Sequence, residues 1–232
     1  MLAIIPARGG SKGLPGKNIK LLDGVPLICH SIKSALESKF IDRVVVSTED
    51  REIAKIAKEC GAEVPFMRPA SLASDTSLAI DTYLYVIDRI AKESLKPVHS
   101  FVVLLPTAPL RVPQDIDNAI KIFKDNKANS VISVVEAPVP LKWHMQIDKK
   151  KNFLQNYFLD FNILQNRQCE LQTYVPNGSI YIFQTEILRK TRQYCNEKTY
   201  PYIMPRERSV DIDSFLDFQW AEHLLNKKKE LS

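Results

Sequence analysis

The chain alternates short β-branched runs with stretches whose apolar residues recur at helical spacing. Leu2 to Pro6 reads as a buried strand, and Leu27 to Glu37 carries apolar side chains with the period of a helix. Arg43 to Ser47 (RVVVS) is a second strand. The helix expected from Arg51 to Cys60 is closed by Gly61, a residue suited to the left-handed turn after a helix. Ala62 to Pro65 predicts a short strand and Leu78 to Lys92 a long helix. Ser100 to Leu105 (SFVVLL) has the unbroken apolar composition of a strand covered on both faces. Pro113, favoured in the first turn of a helix, opens one running to Asp125, and Ser130 to Val135 (SVISVV) is the next strand. This alternation implies right-handed crossovers and a doubly wound α/β sheet.

The texture changes after Pro138. The segment from Lys142 to Tyr174 is rich in Asn, Gln and Lys, with scattered aromatics and no clean period. It is expected to leave the sheet as a hairpin, lid or dimerisation arm. On that reading the chain is one domain over residues 1–232 with an arm inserted at about 138–176, packed on a second subunit. The α/β signal returns at Gly178 to Phe183 (GSIYIF). A helix follows, then an extended Val210 to Asp213, and a last helix from Phe215 to about Lys227.

Composition narrows the class of protein. Apolar residues at 45% and charged residues at 25% exclude disordered and collagen-like chains. No apolar run approaches the ~20 residues of a membrane span. The start, MLAIIPARGG, reads as a strand entering a loop and not as a signal peptide. Cys29, Cys60, Cys169 and Cys195 lie far apart without a C-x-x-C pair, which argues against zinc ribbons and redox motifs and suits a reduced cytoplasm. The formal charge of +5 is too small and dispersed for nucleic-acid binding, but suits a small anionic substrate.

Of the chain's seven glycines, four (Gly9, Gly10, Gly13 and Gly16) fall in PARGGSKGLPGKN, directly after the first strand. Glycine tolerates the backbone conformations that let several N–H groups converge on an anion, and Arg8, Lys12 and Lys17 are interleaved with them. In open α/β sheets, ligands bind at this edge. The spacing is neither that of a Walker A loop nor that of a dinucleotide fingerprint. A second signal is Asp211-Ile212-Asp213: in an extended segment both carboxylates share one face while Ile212 points into the core. Such a pair is a hard-oxygen site suited to Mg²⁺. Asp217, three residues after Ser214, reads instead as part of a capping box. A cationic glycine loop and a carboxylate pair together suit nucleotidyl transfer.

The run I-I-P-A-R-G-G-S-K-G-L-P-G-K-N-I resembles the signature of the acylneuraminate cytidylyltransferases, which make CMP-sialic acid and related CMP-nonulosonates. The resemblance continues through VVVSTEDREIAKIAKECGAEVPFMRPASLASDTS, LLPTAPLR, NGSIYIF and SVDIDSFLDFQWAE. It implies a Rossmann-like, mostly parallel sheet with flanking helices, a homodimer whose protruding arm contributes to the partner's site, and Mg²⁺ dependence. It also implies a reaction of CTP with a nine-carbon 2-keto sugar acid, in which the anomeric hydroxyl attacks the α-phosphorus and pyrophosphate leaves. By the same resemblance Arg8, Lys12 and Lys17 hold the phosphates, with Gly9, Gly10 and Ser11 completing the loop. Asn18 meets the cytosine, Ser77 lies near the base and Asp211 and Asp213 hold the metal. Arg8, Lys17 and Asp211 are thus the expected catalytic residues, and Arg111 is expected to line the nucleotide site. Lys142, Arg167 and Tyr181 are expected beside the sugar; Tyr181 alternates with Ile180 and Ile182 and so faces away from them. Where the family often has a glutamine that helps bind the sugar, this chain has Leu105. That leaves N-acetylneuraminate and legionaminate-type sugars open, with pseudaminate and 3-deoxy-octulosonate as further alternatives. The reading from a different class is a catalytically silent nucleotide-binding regulator of the same fold.

Overall fold

The computed structural model describes residues 1–10, 13–74, 76–157 and 172–230. In chain order the strands and helices are β1 (Leu2–Pro6), β2 (Leu21–Leu22), β3 (Val25–Pro26), α1 (Leu27–Leu36), β4 (Arg43–Ser47), α2 (Arg51–Glu59), α3 (Ala79–Ser94), β5 (Ser100–Val103), α4 (Pro113–Asp125), β6 (Ser130–Glu136), β7 (Met145–Asp148), β8 (Phe153–Asn156), β9 (Tyr174–Gln184), α5 (Thr185–Thr191), β10 (Thr199–Ile203) and α6 (Phe215–Glu230).

Six strands form one sheet in the order β10-β6-β9-β5-β1-β4. β1 pairs in parallel with β4 and β5, and β10 in parallel with β6. β9 runs antiparallel to both of its neighbours, with Ile182 opposite Val102 on one side and Val131 on the other. Alternation along each strand divides the core into two layers. Ala3, Ile5, Val102, Ile180 and Ile182 face α1, α2 and α4, while Leu2, Ile4, Phe101, Val103 and Phe183 face α3 and α5. Both faces are therefore covered, so the strands read as continuous apolar runs. A third cluster, built on Leu22, Leu27, Leu110, Ile212, Phe218 and Ala221, docks α6 beside the β2–β3 hairpin.

Several expectations change. Ala62 to Pro65 forms no strand; it contributes one parallel bridge, Val45 with Glu63, because only the two backbone bonds around Glu63 reach β4. Val210 to Asp213 joins no sheet; among the described residues its one backbone–backbone bond runs from Ile212 N–H to Thr107 O. β10 was not foreseen because Pro201 sits within it, which an edge strand tolerates. β9 begins at Tyr174, so the return strand of the expected arm already belongs to the sheet. Within that arm β7 and β8 pair only with each other among the described residues. Cys29 and Cys60, whose spacing suited a reduced cytoplasm, are joined by a disulfide that ties buried α1 to the end of α2, with Cα atoms 5.7 Å apart.

The end of the molecule beyond the sheet is fixed by Asp115. This buried carboxylate accepts from the Val112 N–H at the start of α4, from the Tyr202 hydroxyl on β10 and from the Arg208 guanidinium. Burial alone would raise its pKa, but Arg208, the Val112 amide and Tyr202 outweigh it and hold the carboxyl below its ordinary value. A folded-state pKa below the unfolded one adds stability above the ordinary carboxylate range, and that stability is lost as pH falls through the folded value. Asp115→Asn, which leaves Arg208 without its counter-charge, should cost about 3 kcal/mol at pH 7. In urea titrations at pH 7 and pH 3.5 the variant should lose less stability on acidification than the parent. Equal losses in the two proteins would show that Asp115 does not carry this pH dependence.

Candidate functional site

The site assembles at the carboxyl ends of β1 and β5, beside the first half of antiparallel β9, where the Asp211-Ile212-Asp213 segment passes. Leaving β1, the chain reaches Arg8 and then Gly9, whose N–H donates to Glu49 Oε1 at 2.8 Å. Glu49 is in turn paired with the buried guanidinium of Arg68. Asp50, next to Glu49, caps α2 by accepting from the N–H groups of Glu52 and Ile53. A Cβ built on Gly9 would lie 2.6 Å from Asp50 Oδ2, and one on Gly13 would lie 2.2 Å from Asp213 O. These two glycines are thus set by close approach of neighbouring groups. Gly16, at φ 65°, enters the short turn Lys17–Ile19 in the left-handed conformation. Ser11 and Lys12 lie outside the described residues.

Lys17 sews this loop to the carboxylate segment: its Nζ donates to Ile212 O at 2.7 Å and to Asp213 Oδ1 at 3.0 Å. Asn18 is buried, and its Nδ2 donates to Arg8 O at 2.9 Å, so the side chain expected at the base braces the loop from beneath. Ile212 is fully buried and both aspartates reach the surface, the division that the Asp-Ile-Asp spacing implied. Asp213 is wide open, its side chain 82% exposed. The rim of Asp211 also meets solvent, but protein crowds its carboxyl. That burial raises its pKa and the charges of Asp213 and Asp217 add to the rise, while the Thr107 hydroxyl and Lys17 oppose it. Asp217 accepts from the Ser214 hydroxyl and from the amides of Ser214 and Asp213, so its capping role is realised.

Behind Asp211 stands an irregularity of β9. Pairing with β6 slips between Ile132 and Val134, leaving Asn177, Gly178 and Ser179 as the extra residues. Such bulges commonly sit beside sites, where they re-aim the chain. The amides they free are satisfied locally: Ile180 N–H donates to Ser133 Oγ, and Ser179 N–H to Asn177 Oδ1. Asn177 Nδ2 donates to Ser209 Oγ. Gly178 has φ 70°, and a Cβ there would meet Asp211 Oδ2 at 2.9 Å. The bulge thus makes the space that Asp211 occupies.

Tyr181 lies on the opposite face from Ile180 and Ile182, stacked on Phe183 and edge-on to Tyr194. Burial, Tyr194 and Asp211 push its hydroxyl up to about 12. Leu105 is half-buried against the same cluster, so these two predicted sugar residues pack on one core layer. Ser77 is folded into a turn, donating to Ser71 O at 2.6 Å, while neighbouring Asp75 lies outside the described residues. Lys142 occupies the short turn Leu141–Trp143 that opens the arm, and Arg167 lies outside the described residues.

Arg111, expected to line the nucleotide site, is 3% exposed, and its terminal nitrogens donate to Ser179 O, Ser31 Oγ and Leu105 O, so it braces the neighbouring elements from inside. Burial pulls its pKa down to about 9, with Asp115 and Asp211 opposing the fall through space. Sequence reasoning also missed Arg68, Glu49 and Thr107, which no spacing marked. It missed Gly178 as well, although an isolated glycine inside a strand signals a bulge.

As for a metal, no group of three or more His, Cys, Asp or Glu side chains that could hold one occurs among the described residues. Mg²⁺ commonly takes one or two carboxylates and completes its shell with phosphate oxygens and water. Asp211 and Asp213, two mutually repelling carboxylates beside the loop, fit that donor set.

A mixed, mostly parallel sheet thus carries a glycine loop at its carboxyl edge, with a carboxylate pair beside it. The chain belongs to the cytidylyltransferase family, whose model matches residues 2–202. It is 40% identical over 236 residues to the CMP-N,N'-diacetyllegionaminic acid synthase of Legionella pneumophila, covering 99% of this chain and 98% of that protein. It is 31% identical to the N-acylneuraminate cytidylyltransferase of Escherichia coli, matching 98% of this chain and about half, 52%, of that longer protein. Among solved structures, a CMP:2-keto-3-deoxy-manno-octonic acid synthetase complexed with CTP superposes with a TM-score of 0.70 at 16% identity, over 98% of both chains, a likeness of fold.

The glycine contacts make a graded test. Gly178→Ala adds a methyl group against Asp211 at a positive φ, and should cost about 1–3 kcal/mol. That corresponds to a fall of roughly 2–10 °C in Tm for a domain of this size. Gly10→Ala, with nothing within 4 Å of the added carbon, should stay within ~0.5 kcal/mol of the parent. Thermal unfolding of both variants decides it, and equal Tm values would remove the close-approach argument.

Proposed function

We propose that this protein transfers CMP from CTP to a nonulosonic acid of the legionaminate or N-acetylneuraminate type, releasing pyrophosphate. The observation that carries the reading is the Lys17 bridge from the glycine loop to the Asp211–Asp213 pair, which sets cations and carboxylates side by side at one strand edge. In the reaction the sugar's anomeric oxygen bonds to the α-phosphorus, the bond to the β-phosphate bridging oxygen breaks, and the anomeric proton is released. Arg8, Lys12 and Lys17 hold the triphosphate in the cradle of Gly9, Gly10 and Ser11, with Asn18 and Ser77 on the nucleoside side. Asp211 and Asp213 would hold Mg²⁺, which when bound neutralises phosphate charge as pyrophosphate departs. Ile212, locked in the core, fixes the direction of both carboxylates. Leu105 and Tyr181 form a wall for the acyl sugar, with Lys142 and Arg167 approaching from the arm. The similarity to the Legionella protein supports the legionaminate-type sugar. CTP as co-substrate goes with a cytoplasmic setting.

Pyrophosphate release measured with CTP, Mg²⁺ and a panel of nonulosonic acids tests the reading directly. Turnover is expected with legionaminate- or N-acetylneuraminate-type acids, and none with any sugar acid would overturn it. Asp211→Asn should lose at least a hundredfold, since charge stabilisation of this kind is worth several kcal/mol. Leu105→Gln should move the kcat/KM ratio toward N-acetylneuraminate by about tenfold to a hundredfold, the value of pairing one buried hydroxyl, with KM for CTP unchanged.

The same reading includes a homodimer. The β7–β8 hairpin exposes Ile147, Phe153 and Leu154 while pairing with nothing else described, and a second subunit would cover that surface. Light scattering at micromolar concentration should return twice the chain mass; a monomeric mass with full activity would rule the dimer out.

A further inference from the structure

Away from the cleft, a cavity of about 780 Å³ opens between α1, the start of α4 and the C-terminal half of α6. Its volume falls in the range of small-molecule sites. Arg111 is the one residue it shares with the predicted site residues. Leu110, Val112, Leu224 and Leu225 give it an apolar lining, and Lys33, Arg208 and Lys227 stand around it, with Glu37 and Glu207 as the acidic members of the wall. Of these cations Arg208 is committed to Asp115, while Lys33 lies 3.9 Å from Glu37 with its side chain largely in solvent.

Arg111 supplies the second observation. A buried guanidinium is costly without a counter-charge in contact. All three hydrogen-bond acceptors of Arg111 are neutral oxygens, and its Nε has no partner among the described residues. The nearest carboxylates act on it only through space, and Asp115 already serves Arg208 and Tyr202. The cavity beside Arg111 is therefore largely apolar in lining, and its four cations, Lys33, Arg111, Arg208 and Lys227, outnumber Glu37 and Glu207.

We propose that this cavity is a binding site for a small amphipathic anion, an aromatic or branched-aliphatic body carrying one carboxylate, phosphate or sulfonate group. The body lies on Leu110, Leu224 and Leu225 and the anionic group faces Lys33 and Lys227, close enough to the field of Arg111 to be favoured by it. The assignment stands apart from the cytidylyl-transfer reading, since none of the cleft carboxylates or loop residues takes part.

The test uses the whole chain without nucleotide and the fluorescent probe 8-anilinonaphthalene-1-sulfonate, with uncharged N-phenyl-1-naphthylamine as its control. One sulfonate per chain should bind, at least tenfold tighter than the amine. Lys33→Glu and Lys227→Glu, both at exposed positions, should each weaken it fivefold or more. Leu225→Trp, which fills the cavity, should abolish it, and Leu154→Asp on the β7–β8 hairpin should leave it unchanged. If Leu225→Trp does not fold, the two lysine variants still decide the matter. Equal affinity for the amine, loss on Leu154→Asp, or indifference to both lysine reversals would overturn the site.

Discussion

Arg111 is taken out of water with no carboxylate in contact, and the oxygens that receive it belong to three separate elements. Leu105 O follows β5, Ser179 O lies in the bulge of β9, and Ser31 Oγ is on α1. A guanidinium has five donors in a fixed fork, so its acceptors must stand at fixed positions relative to one another. Removing the side chain would leave those strand ends without their common partner; keeping it demands that they stay in register. Asp211 rests against Gly178 in that bulge, Tyr181 follows two residues later and Leu105 bears one of the acceptors, so the geometry of the cleft is inherited from this strut.

Within that frame the cleft is a balance of charges held at close quarters. Lys17 touches Asp213 and Ile212 O, and Gly9 offers its N–H to Glu49, so cation and amide both already have anionic or carbonyl partners. An incoming triphosphate would compete with carboxylates for the same donors, exchanging one set of charge-assisted bonds for another. Glycine is required where these carboxylates and carbonyls press against the chain. A side chain at Gly9, Gly13 or Gly178 would occupy the volume of Asp50, Asp213 or Asp211.

What could be read from the sequence follows from how local each cause is. β1, β4 and α4 were legible to the residue, since burial on both sheet faces and Pro113 at a helix start are local signals. The glycine loop and the Asp-Ile-Asp pair were legible for the same reason, chemistry concentrated in few residues. The inward hydrogen bonds of Arg111 were not legible, because a motif arginine near a ligand edge looks the same whether it points outward or inward. Arg68 and Glu49 are nineteen residues apart, and only the fold brings them together. β10 was hidden by Pro201, and the disulfide by a sequence separation of 31 residues.

β9 is the strand that joins the two halves of the sheet, yet it is among the last to be made. β1, β4 and β5 can associate once Val103 is available, while among the described residues β6 reaches them in the sheet through β9. Gln184 emerges roughly eighty residues after Val103, which at ~5–20 residues per second is an interval of about 4–16 s. Through that time the ribosome-bound chain carries an apolar β5 edge with unpaired N–H and C=O groups, a template for pairing with another chain. Nascent copies on a crowded polysome therefore depend on shielding of that edge, and slow translation between residues 104 and 174 would lower the yield of native protein without altering a single contact in it.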